Sequence, residues 1–149
     1  PTPGLSVQSG QYGGVDAGSP GLPSSGQSPS RSGVLWDTYI EQGSSALKQH
    51  HYPEAEGMFK AALSEAERSE NKRHISTSLN NLAAVCDAQN KFAEAEPLYY
   101  RALGIDEKDL GRDHPDVAMT LNNLSSLFFN SGKYAQAEPL CRRALAFFY

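Results

Sequence analysis

The chain has 149 residues, 39% of them hydrophobic, and a formal charge of −4, which allows one domain of ordinary size plus a tail. Its basic residues form no dense cluster, which argues against nucleic acid or an anionic membrane surface as the partner. No apolar run reaches the roughly 18 residues that a membrane span needs, so no membrane insertion is expected.

Residues 1–33 read as linker. Ser, Gly and Pro supply 21 of these 33 residues, and the only charges are Asp16 and Arg31. Such a segment buries too little apolar surface to offset its ordering entropy, so a disordered tail is expected. Ser19-Pro20 and Ser28-Pro29 are its candidate phosphorylation sites. A first residue other than Met is what a fragment of a longer chain would show, and an upstream targeting signal would then lie outside it. Cys86 and Cys141 stand 55 positions apart with no CxxC and no metal-ligand spacing, the pattern of a reduced, cytoplasmic chain.

From Val34 onward the texture becomes helical and repetitive. Residues 79–103 and 121–145 align without a gap and are identical at 13 of 25 positions. A weaker, earlier copy aligns at an offset of 40, bringing Tyr39 onto Leu79 and Glu56 onto Glu96. The copies span about 36–70, 75–110 and 115–149, and a period in this range is the signature of a repeat architecture. The first copy has Tyr39, Gly43 and Ala46, then His50-His51 as a turn, then Pro53 in the permitted first helical turn. In the second, Leu79, Leu82, Ala83 and Cys86 follow i, i+3, i+4, i+7, before the turn Asn90-Lys91 and a second helix from Phe92. The third repeats this with Leu121, Leu124, Ser125 and Phe128, then Ser131-Gly132-Lys133, then Tyr134 onward. A helical hairpin of this kind cannot bury both faces alone, so the copies are expected to stack.

These positions match the tetratricopeptide pattern W-x2-L-G-x2-Y, then A-x3-F. The stretches LGRDHPDVAMTLNNL (Leu110–Leu124) and GKYAQAEPLCRRAL (Gly132–Leu145) resemble the 42-residue repeats of kinesin light chains and nephrocystin-like proteins. The resemblance implies an all-α, right-handed solenoid of three helix-turn-helix repeats at 34–149, after the disordered tail. It also implies a non-catalytic scaffold that binds a protein or peptide, with no cofactor. Two features depart from kinesin light chains. The Ser/Gly/Pro tail stands where they carry a heptad coiled coil, and the chain ends in Phe147-Phe148-Tyr149 where they continue with polar residues. A solenoid end needs a polar cap. Those three rings therefore mark a second expected docking point, for self-association or for a structural assembly that docks through this end or through the convex face.

LNNL occurs in both better copies, and its asparagines need an explanation in a helix interior. On a helical wheel Asn81 falls about 150° from the centre of the apolar stripe, beside Thr77 and Ala84, and Asn80 about 110° away on the other flank. In the third copy the outward set is Met119, Asn123, Ser126 and Asn130, with Asn122 on the flank. By resemblance the first helices line a concave groove, so the expected peptide-binding set is Asn81, Asn123, Asn80, Asn122, Ser44, Thr77, Met119 and Ser126. An asparagine amide pairs with both sides of a peptide bond. For Asn80 and Asn122 a bridge between neighbouring first helices is the competing expectation. A clamp for a C-terminal carboxylate is not expected, because Ile40, Ser44, Met119 and Asn123 stand where it needs mostly bases. His114-Pro115 reads as a helix start. His50, His51 and His74 lack a thiol or carboxylate to complete a metal set, and no catalytic motif is present.

Overall fold

The computed structural model of the chain describes residues 31–148, with the backbone alone at 31, 32 and 148. The Ser/Gly/Pro-rich stretch up to residue 30 and Tyr149 lie outside the described residues, and so do the expectations attached to them. Six α-helices follow in order: α1 (Arg31–Lys48), α2 (Tyr52–Arg68), α3 (Lys72–Ala88), α4 (Phe92–Leu110), α5 (Pro115–Asn130) and α6 (Tyr134–Phe148). The boundary expected between Gly33 and Val34 therefore falls inside α1. Each helix packs on the next, and the first helices α1, α3 and α5 also touch in sequence, so three hairpins stack side by side in an all-α solenoid.

Local chemistry sets the ends of these helices. His50, Asn90 and Gly132 occupy one position in the three hairpin turns, and all three have positive φ, at 62°, 62° and 82°. In each turn the next residue's N–H reaches back to the end of the preceding helix, His51 to Ala46 O, Lys91 to Cys86 O and Lys133 to Phe128 O. This is the left-handed C-terminal cap that satisfies otherwise orphaned carbonyls. Asn71 Oδ1 caps α3 by accepting from His74 N at 3.0 Å. His114 Nδ1 accepts from Asp116 N at 3.1 Å, with Pro115 starting α5, as expected of a helix start.

The core runs through all three hairpins. Trp36, Ile40, Phe59, Leu82, Tyr99 and Phe128 are buried in one cluster, and Leu103, Val117, Leu121 and Ala144 form a second between the last two hairpins. Small residues let the paired helices approach. A Cβ on Gly43 would lie 2.6 Å from a ring carbon of Phe59. In the third hairpin Ser125 Oγ donates to Ala137 O at 3.2 Å. Gly43→Ala is therefore expected to cost about 1–3 kcal/mol through overpacking, measured as a lower denaturant midpoint at unchanged slope. An unaltered midpoint would show that the first hairpin has slack that the Phe59 contact denies.

Candidate functional site

The first helices are joined by polar bonds in a fixed register. Trp36 Nε1 on α1 donates to Ser78 Oγ on α3 at 2.7 Å, and Asn80 Nδ2 on α3 donates to Thr120 Oγ1 on α5 at 3.0 Å. Ser78 and Thr120 are 42 residues apart, one period. Each hydroxyl gives its own proton to a carbonyl one turn back, Ser78 to His74 O at 2.8 Å and Thr120 to Asp116 O at 3.1 Å, a shorter contact than the 3.5 Å from Thr120 Oγ1 to Asp106 Oδ2. That internal bond leaves the oxygen free to accept from the preceding first helix.

Charged pairs on the second helices repeat in the same way. Lys91 meets Glu56 at 3.1 Å, and its counterpart Lys133 meets Glu96 at 3.6 Å. Arg101 pairs with Glu67, and Arg143, one period on, pairs with Glu107. Hydrogen bonds from Lys60, Gln89 and Lys91, that of Lys60 foremost, hold the Glu56 carboxyl down at about 2. Two acids sit deeper. Asp106 accepts from Ser76 Oγ at 2.6 Å, and Asp87 accepts from Asn130 Nδ2 at 3.2 Å. Burial nonetheless raises both carboxyls above their ordinary range, outweighing these bonds. The buried Cys86 thiol is pushed up to about 11, chiefly by burial, which keeps it protonated and inert. The other cysteine, Cys141, which falls on Tyr99 at the 42-residue period, is only half-buried.

The expected binding residues divide between interior and surface. Asn81 is 0% and Asn123 1% exposed, so neither amide lies on the open groove wall that the helical wheel suggests. Every residue from Ser76 to Asp87 is buried, because α3 runs between α1 and α5 with α2 and α4 also packed against it. A wheel assigns one buried side, but a middle solenoid helix has neighbours on several. Ser44 and Thr77 are buried as well. Met119 and Ser126 are half-buried, and Asn122 is exposed. Asn80 and Asn122, expected to behave alike, do not: Asn80 is 1% exposed and bonded to Thr120, whereas no described helix follows α6 to cover Asn122. Asn123 has neither side-chain polar atom hydrogen-bonded, and Ser44 Oγ is likewise without a partner.

Residues 37–108 and 91–149 match the tetratricopeptide repeat family. The chain belongs to that family. A crystal structure of the tetratricopeptide domain of Arabidopsis FLU is similar in fold, with a TM-score of 0.71 at 16% identity, covering 77% of this chain and 95% of that one. No curated protein sequence matches the chain. Tetratricopeptide proteins are in general protein-interaction scaffolds, and nothing in the comparisons shows catalytic activity. Among the described residues no three His, Cys, Asp or Glu side chains converge to hold a metal, and no helix is long and apolar enough to cross a membrane.

One contact at the first tetratricopeptide junction escaped the sequence reading. The His74 ring stacks on Trp36 with centroids 3.7 Å apart and planes within 1°. Burial, aided by the charge of Arg73, lowers the His74 pKa below its ordinary 6.5. The unfolded chain therefore takes up this proton before the folded one, so stability falls as pH drops through about 6.5. Asp87 and Asp106 act oppositely: the folded state gains stability as pH falls through their raised values, a gain complete by the ordinary 3.8 of a carboxylate. Between pH 7.5 and 5.5 the His74 contribution is expected to lower the melting temperature by a few degrees, so the wild type is expected to lose more on acidification than His74→Gln. An equal fall in that variant would assign the acid sensitivity elsewhere.

Proposed function

We propose that the protein is a non-catalytic adaptor that holds an extended segment of a partner protein across the face built by α1, α3 and α5. The observation that carries this reading is Asn123. A buried amide with no hydrogen-bond partner costs about 1–3 kcal/mol, and such groups in native proteins call for an explanation. Asn123 lies within one helical turn of the half-buried Met119 and Ser126 and beside the exposed Asn122. A side-chain adjustment in that turn brings its donor and acceptor to a peptide backbone, which needs both. Asn81, one period earlier, is the second anchor, with Asn80, Ser44 and Thr77 as supporting wall. An adaptor of the kinesin light chain type is the narrower form of this reading. It rests on the resemblance of Leu110–Leu124 and Gly132–Leu145.

A role in binding and a role in packing give opposite signs at this position. Asn123→Leu removes the unpartnered amide at similar volume, so it is expected to raise the unfolding free energy by about 1 kcal/mol. The same change is expected to weaken a peptide selected on the wild-type domain by about tenfold, read by calorimetric titration. Full affinity in Asn123→Leu, with helicity intact, would remove Asn123 from the binding face.

A further inference from the structure

A groove of about 280 Å³ runs between α5 and α6, walled by Ala118, Met119, Asn122, Cys141, Ala144 and Leu145. One period earlier these positions are Ser76, Thr77, Asn80, Tyr99, Ala102 and Leu103, and all six are buried. There α5 supplies part of the cover: Thr120 accepts from Asn80, while Val117 and Leu121 cluster with Leu103. In the last hairpin four of these positions are open, while Ala118 and Ala144 stay buried. Asn122 is exposed, Leu145 is 48% exposed, and Met119 and Cys141 are half-buried.

We propose that this face takes the α1 side of a second copy of the chain, head to tail, and so repeats between molecules the junction that α5 makes within one. The complementarity is written in the register. The residues of α5 that fill the internal junction, Val117, Thr120 and Leu121, correspond in α1 to Leu35, Thr38 and Tyr39. Thr38 is exposed, and Leu35 and Tyr39 are only half-buried, so this side of α1 is open too. Thr38 Oγ1 donates to Val34 O at 3.0 Å, the same internal bond that leaves the oxygens of Ser78 and Thr120 free to accept. Asn122 is thus a donor without its Thr120, and Thr38 an acceptor without its Asn80. Leu145 meets Leu35 and Tyr39 as Leu103 meets Val117 and Leu121. Glu138, which stands where Glu56 and Glu96 each meet a lysine from the following hairpin, faces His51 of the second copy. The arginine–glutamate pair has no counterpart, since Ala61 stands in the arginine's place.

Such a contact joins two different faces, so it propagates instead of closing on a dimer. This goes beyond peptide binding and does not depend on it: Asn123→Leu is expected to leave assembly unchanged.

Sedimentation equilibrium of the full chain tests the proposal at concentrations up to about 1 mM, where weak contacts register. The weight-average mass is expected to climb steadily above the 16.1 kDa monomer. Leu145→Glu blocks one face and Thr38→Arg the other, so each variant alone is expected to remain monomeric. Mixed in equal amounts they are expected to form a one-to-one dimer, because one intact face of each kind remains. Asn122→Arg is expected to behave as Leu145→Glu does, which guards against a folding defect in either, and circular dichroism checks both. A wild-type chain that stays monomeric throughout would overturn the second copy as occupant and leave the face to another protein. A mixture no heavier than its components, or variants that still assemble alone, would overturn the head-to-tail geometry.

Discussion

The stacking of this solenoid depends on a hydroxyl that spends its proton at home. Ser78 and Thr120 each donate to their own helix one turn back and accept from the first helix before them. An apolar seam alone permits slippage by a turn, since hydrophobic contact is not directional. A buried donor and acceptor that must meet do not permit it, because missing the partner leaves a desolvated group unpaired. The bond therefore sets register more than it adds stability, and the ion pairs Lys91–Glu56 and Lys133–Glu96 repeat that register on the flank. These pairs are partly exposed and each contributes little by itself.

The donor changes identity between junctions while the acceptor position is kept. At the first junction the donor is an indole, Trp36, whose ring also stacks on His74. At the second it is the Asn80 amide, backed by Asp106, which accepts from Ser76. The second junction is thus the more polar, with Asp87 and Asn130 paired across the same two helices. Burial raises both of its acids, so ionising them opposes folding there at neutral pH. Nearest-neighbour contacts carry most of the stability of a stacked array, so two chemically different junctions give two local stabilities. The acid-sensitive one is the Trp36–His74 side.

Much of this was legible in the sequence. The period exposed the hairpins, the turn residues His50, Asn90 and Gly132, and the helix start at Pro115, because each is local chemistry repeated in a recognisable place. Burial of the outward asparagines was not legible. A single helix read at 100° per residue shows one apolar stripe, and Asn81 lies far from it, yet α3 has neighbours on several sides and is buried from Ser76 to Asp87. Asn80 and Asn122 look identical in sequence, but their fates differ, because burial depends on the following hairpin. The register pairs were available in principle. Writing the copies one above another puts Lys91 over Lys133 and Glu56 over Glu96. That comparison needs the further step of pairing each residue with the next copy.

The central claim is that the Asn80–Thr120 bond fixes the second junction, and a double-mutant cycle on unfolding free energy tests it most directly. With Asn80→Ala, Thr120→Val and the double variant, the account predicts a coupling of about 1 kcal/mol between the two sites. Asn122→Ala, the same residue type one period on with no described helix across from it, is predicted to stay within about 0.5 kcal/mol of the wild type at dilute concentration. A coupling near zero, or equal losses at Asn80 and Asn122, would contradict it and leave apolar packing alone to set the stack.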